Sequence, residues 1–391
     1  MDLITVLQDG LLSDVDTAPR TFLGRIQKAK GKHQDLTMRG DKFMSTSTGT
    51  QLTLTYAPAA TALNKNALRT KNILGIVLFN SQLTSGIGTD QNSGIIKTPL
   101  TIYGADICEI WSTTQPVIPG HYLDIRYRRS ATLTLGSITL AITTPIDDGE
   151  NINPPPIQSC AQEAYQQIFN LLQEIGHIHL LRVWNFLPDI NGATHGLEHY
   201  RQFNIGRQGS FIAHDRLSEE SSIPAASAVG TSSTNLVVHF LAGRDKSVAL
   251  ENPRQISAYR YPKKYGPCSP TFSRGGWLNL DQQHALFISG TASIVGHDTL
   301  HIDDVAAQTQ ESIRNISAVI DEANRVAGHH LHTLDTLNYR VYFRNIEDLT
   351  IIQAELGRLI APATKTLYIQ ADICRSELLV EIEATGGVVH S

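Results

Sequence analysis

Leu367-Tyr-Ile-Gln-Ala-Asp-Ile-Cys374-Arg-Ser-Glu377-Leu-Leu-Val-Glu381-Ile-Glu383-Ala384 lies near the C-terminus, and from Glu377 onward its apolar and acidic positions alternate. A period of two puts Leu378, Val380 and Ile382 on one strand face, and Glu377, Leu379, Glu381 and Glu383 on the other. Three carboxylates on one face repel each other, and any that is shielded from water holds its proton more tightly. Such a group can act as a general acid near neutral pH. An edge strand with a solvated acidic face would give the same pattern.

Working outward, this stretch has a counterpart earlier in the chain. Asn235-Leu-Val-Val-His239-Phe-Leu-Ala242 matches Glu377-Leu-Leu-Val-Glu381-Ile-Glu-Ala384 without a gap. Gln162-Glu-Ala-Tyr-Gln-Gln-Ile168 matches Gln310-Glu-Ser-Ile-Arg-Asn-Ile316, and Arg182-Val-Trp184 matches Arg340-Val-Tyr342. Self-similarity in this order predicts two copies of one unit, a β-sheet with two helices, divided near residue 250. The fold class expected is α+β, with domains 1–250 and 251–391. Glu381 stands where the first copy has His239, and a carboxyl kept in one copy alone reads as a working group.

The local patterns agree. Gln51–Tyr56, Asn72–Phe79, Leu123–Arg128 and 131–142 read as strands, making the first 150 residues strand-rich. A Pro-rich loop over 147–156 precedes a helix from Ser159 that stops at Gly176. A strand over 179–186 and a helix around 199–207 follow, then a loop-like 216–234 and a strand over 235–242. The second half runs helix Asp304–Arg325, strand 338–344, helix Glu347–Leu359, and strands 367–373 and 378–382.

Composition limits the partners. The chain is 41% hydrophobic and 18% charged with a formal charge of -5, which argues against nucleic acid or a membrane surface as a partner. No apolar run approaches a membrane span and no signal-like N-terminus is present, so a cytoplasmic protein is expected. Cys108, Cys160, Cys268 and Cys374 are far apart and read as free thiols. His297 and His301, and the group His329, His330 and His332, lack a suitably spaced third ligand, so no metal is expected. No phosphate-binding glycine loop or nucleophile elbow occurs, and no cofactor is expected. The segment Asn252–Arg274 packs Arg, Lys and Tyr among prolines. It suits an anionic, ring-bearing ligand, or is simply a bridging loop; stacking on single-stranded nucleic acid is disfavoured by the acidic balance.

Ile288-Ser-Gly-Thr-Ala-Ser-Ile-Val-Gly-His297, the helix from Gln308-Thr-Gln and the Glu381-Ile-Glu-Ala ending resemble the RidA/YjgF-like fold. The fuller set resembles the chorismatases, two-domain relatives acting on chorismate. It comprises Gly196-Leu-Glu-His-Tyr-Arg-Gln-Phe-Asn-Ile-Gly-Arg207, Ser257-Ala-Tyr-Arg-Tyr-Pro262, Tyr265-Gly-Pro, the Ser289–His297 motif and Ala371-Asp-Ile-Cys-Arg375. The likeness covers about residues 180–391, and the first 150 residues match nothing recognised. It implies two tandem RidA/YjgF-like units, each a mixed β-sheet covered by two helices. RidA-type imine deaminases hold a carboxylate with an arginine after a proline. Here Pro362-Ala-Thr-Lys365 and Pro224-Ala-Ala-Ser lack it, which speaks against imine hydrolysis.

The resemblance implies chorismate as the small-molecule substrate and a product of 3-hydroxybenzoate plus pyruvate. Glu381 would protonate the enolpyruvyl ether, a step that needs an acid of raised pKa. Glu377 and Glu383 would help to raise it. Two carboxylates call for arginines; the candidates are Arg201 and Arg207 from the first copy, Arg344 from the second, and Arg260. Cys374 resembles a product-determining position of the 3-hydroxybenzoate branch. Ala292 departs from a pure former of that product, which leaves mixed 3- and 4-hydroxybenzoate open. The alternatives are a chorismate hydrolase giving a dihydroxycyclohexadiene carboxylate, and a non-catalytic RidA-like protein that binds aromatic acids. RidA-like domains commonly form trimers, so a monomer or a homotrimer is expected.

Overall fold

A computed structural model describes residues 49–63, 72–80, 94–143, 154–281 and 283–388. Most of the 147–156 loop therefore lies outside the described residues. In chain order the first strands are β1 (Leu52–Pro58), β2 (Ile73–Asn80), β3 (Ile95–Tyr103) and β4 (Ile107–Thr113). A meander follows: β5 (Ile118–Tyr122), β6 (Ile125–Arg129) and β7 (Leu133–Ala141). Strand β3 escapes the periodicity reading because Pro99 interrupts it; pairing with β2 slips at that point.

Helix α1 (Pro156–Ile175) opens on a proline whose missing N–H is one a helix start leaves unpaired. It closes at Gly176, whose φ of 70° is left-handed. Then come β8 (His179–Pro188), α2 (His199–Ala213), β9 (Ala225–Thr231) and β10 (Asn235–Gly243). The second meander is β11 (Val248–Leu250), β12 (Gly275–Leu280) and β13 (Gln283–Ala292). Helix α3 (Val305–Ala327) is capped by Asp304, whose carboxylate accepts from the Ala307 N–H. The chain continues through β14 (Leu337–Phe343), α4 (Leu349–Leu359), β15 (Thr366–Gln370), β16 (Asp372–Ile373) and β17 (Val380–Gly386).

One sheet runs β1-β4-β2-β3-β15-β14-β17-β13-β12-β11, and the other β16-β9-β8-β10-β7-β6-β5. From β5 the second reads meander, β10, β8, β9; from β11 the first reads meander, β17, β14, β15. The same order, with β8 parallel to β9 and β14 parallel to β15, makes the repeat physical. The sheets face each other across a core that includes Leu135, Trp184, Phe287 and Ile369. Helices α1 and α2 cover the outside of one sheet, α3 and α4 the outside of the other. The architecture is α+β, as expected. Strands β1 to β4 extend the second copy's sheet, because β3 pairs with β15.

Three expectations are corrected. Residues 216–234 are not all loop: β9 lies there, paired with β8 along its whole length, so tertiary pairing overrides the weak strand preference of its Ala, Ser and Gly. Residues 367–373 are two strands, since the chain changes sheets at Ala371. The acidic alternation is not an edge: β17 lies between β13 and β14, and it begins at Val380, leaving Glu377 outside the strand.

Candidate active site

Alternation along β17 puts Val380, Ile382 and Ala384 into the core beneath α3 and α4. Glu381 and Glu383 point the other way, between the sheets, and both are buried. Glu383 is fully engaged. It accepts from Arg182 Nη2 at 2.5 Å, Ser227 Oγ at 2.5 Å and Trp184 Nε1 at 2.8 Å, and lies 3.1 Å from Arg340 Nη1. Arg182 and Arg340 are the matched arginines of the two copies, so one carboxylate serves both. Arg340 also binds Glu109 through two nitrogens.

Glu381 is in the opposite condition. Its Oε1 has no hydrogen-bond partner among the described residues, and its Oε2 accepts a long contact from the Cys374 thiol at 3.9 Å. Burial, and then the charge of Glu383, push its pKa from 4.5 up to about 8; Arg182 and Arg274 offset only part of this. Burial and the Glu381 carboxyl push the Cys374 thiol up to about 12, so it is a neutral neighbour. A side chain at Gly290 would displace the acid, because its Cβ would lie 1.9 Å from Glu381 Oε1. Gly290 falls where the β13–β17 pairing is irregular, between Ile288 and Thr291, and that bulge makes room for the carboxyl.

Glu381 faces a cavity of about 350 Å³, within the size range of small-molecule sites. The small residues Ala226, Ser227 and Ala228 of β9 form one wall, so the composition that hid this strand also opens the cavity. Tyr261, Tyr265 and Phe272 supply rings from the 252–274 segment. Arg207, on α2, is 2% exposed, and its Nε and Nη2 have no partner among the described residues. It stacks 5.0 Å from the Tyr165 ring and 5.3 Å from that of Phe211. A buried guanidinium without a counter-charge is costly, and an anionic ligand would relieve it. Arg274 donates to the Ile256 carbonyl at 2.8 Å and the Tyr261 hydroxyl at 2.9 Å, leaving its Nε unpaired. Arg375 lies 4.3 Å over the Tyr265 ring and donates to Thr299 Oγ1.

Glu381, Arg201, Arg207, Cys374 and Ala292 are thus brought together around one cavity. Arg201 stands at its rim, 3.0 Å from Glu198. Arg260 and Arg344 do not line it. Arg260 pairs with Glu220 at 2.5 Å on the surface. Arg344 pairs with Asp372 at 2.5 Å and donates to the carbonyls of Ile373, Arg375 and Leu378, so it clamps the turn before β17. Glu377 lines the cavity but accepts from Thr299 Oγ1 at 2.9 Å and is not among the charges that raise Glu381. Arg274 and Lys264, from the 252–274 segment, and Tyr200 and Arg375 also line the cavity, though the sequence does not single them out individually. Arg274 and Arg375 lie within the quoted stretches, but periodicity gives no direction to a side chain in a loop.

A neutral buried acid sharing a cavity with the unpaired Arg207 guanidinium, further arginines and aromatic rings defines a site that can hand a proton to a small, ring-bearing anion. The family described as "Chorismatase FkbO/Hyg5-like, N-terminal" matches residues 109–242. A 3-hydroxybenzoate synthase of Streptomyces hygroscopicus is 39% identical over 231 residues, covering 56% of this chain and 67% of the relative. A chorismatase of Streptomyces hygroscopicus is 31% identical over 282 residues, covering 70% and 78%. A crystal structure of a chorismatase superposes with a TM-score of 0.75 at 25% identity, over 87% of this chain and 99% of that one. The chain belongs to the chorismatase family. Among the described residues no helix is long and apolar enough to cross a membrane.

Proposed function

We propose that the chain converts chorismate to 3-hydroxybenzoate and pyruvate, with Glu381 as the proton donor. The observation that carries this is the Glu381 carboxyl, buried, unpaired at Oε1 and neutral up to about pH 8, in a cavity that also presents Arg207. Glu381 protonates the terminal methylene carbon of the enolpyruvyl ether, which leaves an oxocarbenium ion. The neighbouring ring hydroxyl captures it and loses its proton. The bond from that oxygen to the ring then breaks as the ring hydrogen beside the ether oxygen leaves as a proton, the ring becomes aromatic, and the remaining hemiketal releases pyruvate. Capture by water would instead give pyruvate and the dihydroxycyclohexadiene carboxylate. Chorismate has the same atoms as 3-hydroxybenzoate plus pyruvate, so the overall conversion needs no outside oxidant or reductant. Arg207 seats one carboxylate, and Arg274 and Arg375 orient the other. Tyr261, Tyr265 and Phe272 enclose the ring and exclude water from the cation.

Cys374, against Glu381, supports the 3-hydroxybenzoate product over the dihydroxycyclohexadiene carboxylate; Ala292 beside it keeps 4-hydroxybenzoate as a minor product. The division into units near residue 250 belongs to the same reading and is supported by the matching strand orders. The cavity draws α2 and β9 from the first unit and β13 and β17 from the second. A single chain therefore suffices, and we favour the monomer over the homotrimer, in a cytoplasmic setting.

Incubation with chorismate is expected to release one pyruvate per aromatic product, which chromatography identifies as 3-hydroxybenzoate. Tight binding of chorismate without pyruvate release would leave only a binding protein. Arg207→Met tests the seat. Removing an unpaired buried charge should leave the melting temperature unchanged or higher, while kcat/KM falls about a hundredfold or more. A chain that melts earlier with kcat/KM intact would assign Arg207 to the fold.

A further inference from the structure

A second cavity, of about 430 Å³, opens between β6–β7 and β2–β3. The repeat relates it to the first. Arg128 lies opposite Leu135, which lies opposite Leu241, the position matched to Glu383. In the second copy Arg274 pairs with Ser289 beside the bulge facing Glu383, so Arg128 holds the place of Arg274. Ser137 lies opposite His239 as Ala292 lies opposite Glu381; Ser137 lines the second cavity and Ala292 the first.

Arg128 is 9% exposed and its Nε has no partner. Among the described residues no carboxylate pairs with it, and burial pulls its pKa down. Arg126, His121 and Lys97 stand around it, and Leu74, Leu135 and Tyr127 give an apolar and aromatic wall. Asp124, the acidic member of the lining, accepts from Gln167 Nε2 at 2.9 Å. The acid of the first cavity is missing: His239 stands at its place, buried, with its pKa pulled down to about 3, so it is a neutral imidazole and no general acid near neutral pH.

We propose that this second cavity binds a small ring-bearing carboxylate that the chain does not turn over, with the Arg128 guanidinium as the seat of the carboxylate. A buried cation without a counter-charge costs stability, and a carboxylate there would supply the missing charge with two parallel hydrogen bonds. The apolar wall accommodates the ring.

Calorimetric titration of the full chain with sodium benzoate tests this, using wild type, Arg128→Met and Ser137→Phe. The wild-type isotherm is expected to contain one benzoate equivalent that Arg128→Met weakens at least about tenfold and Ser137→Phe, by filling the cavity, removes. Both variants keep wild-type chorismate turnover, which separates this site from the catalytic one. Superimposable isotherms for all three proteins would overturn the proposal. Should Arg128→Met fail to fold, the guanidinium belongs to the fold, and an unchanged isotherm in Ser137→Phe is then decisive against the site.

Discussion

Glu381→Gln is expected to lower chorismate turnover by about 10³-fold or more while leaving the protein folded. Gln keeps the shape of the side chain but has no proton to give to carbon. The wild-type pH profile follows from the same group. Its pKa is raised from 4.5 to about 8, so the active, protonated form is present below about pH 8. kcat/KM for the free enzyme should therefore fall roughly tenfold per pH unit above that point. Stability runs the same way. A carboxyl whose folded pKa is raised contributes stability that is fully present below 4.5 and is lost as pH rises through about 8. Gln is neutral throughout, so the variant should lack this contribution to the pH dependence, and its melting temperature should exceed that of wild type at the alkaline end. Turnover retained in Glu381→Gln, or a profile without a limb near 8, would remove Glu381 from the role of acid.

Glu383→Gln should have the largest effect on stability. Its carboxylate is the counter-charge of Arg182 and is shared with Arg340. Arg340 retains Glu109, but Arg182 has no second carboxylate among the described residues. Breaking a buried pair by removing one partner costs about 3–5 kcal/mol, because the other charge stays in the interior uncompensated. Denaturant melts at fixed pH measure this. The substitution also removes the second cause of the raised Glu381 pKa, so in whatever fraction remains folded the alkaline limb of kcat/KM should move to lower pH. An unshifted limb would mean that burial alone makes Glu381 an acid.

The two variants divide the work of a pair that looks equivalent in sequence. Both residues sit on one face of β17, two apart, and both are buried. Glu383 meets two guanidiniums, an indole N–H and a hydroxyl, and serves as a fixed negative charge. Glu381 meets a thiol and the cavity, and keeps its proton. The first copy has Leu241 and His239 at the matching places, and so builds neither the charge cluster nor the acid.

What the amino-acid order determined by itself was local or repetitive. The duplicated unit, the helices that end at Gly176 and begin at Asp304, and the alternation that puts Glu381 and Glu383 on one face follow from periodicity and capping, which act within a few residues. The choice of Glu381 over its neighbours came from comparing the copies. The partner of each long cationic side chain was decided only by the tertiary structure. Arg344 and Arg260 look as available as Arg207 in the sequence, yet folding sets an aspartate and backbone carbonyls around one, a glutamate against the other, and the Tyr165 and Phe211 rings, with no carboxylate pair among the described residues, beside the third. Likewise β9 became a strand, and the run 367–373 split between two sheets, because of pairing with segments far away in the chain. A guanidinium is long and flexible, and a strand needs a neighbour to complete its hydrogen bonds. Both therefore take their place from contacts between segments remote in sequence.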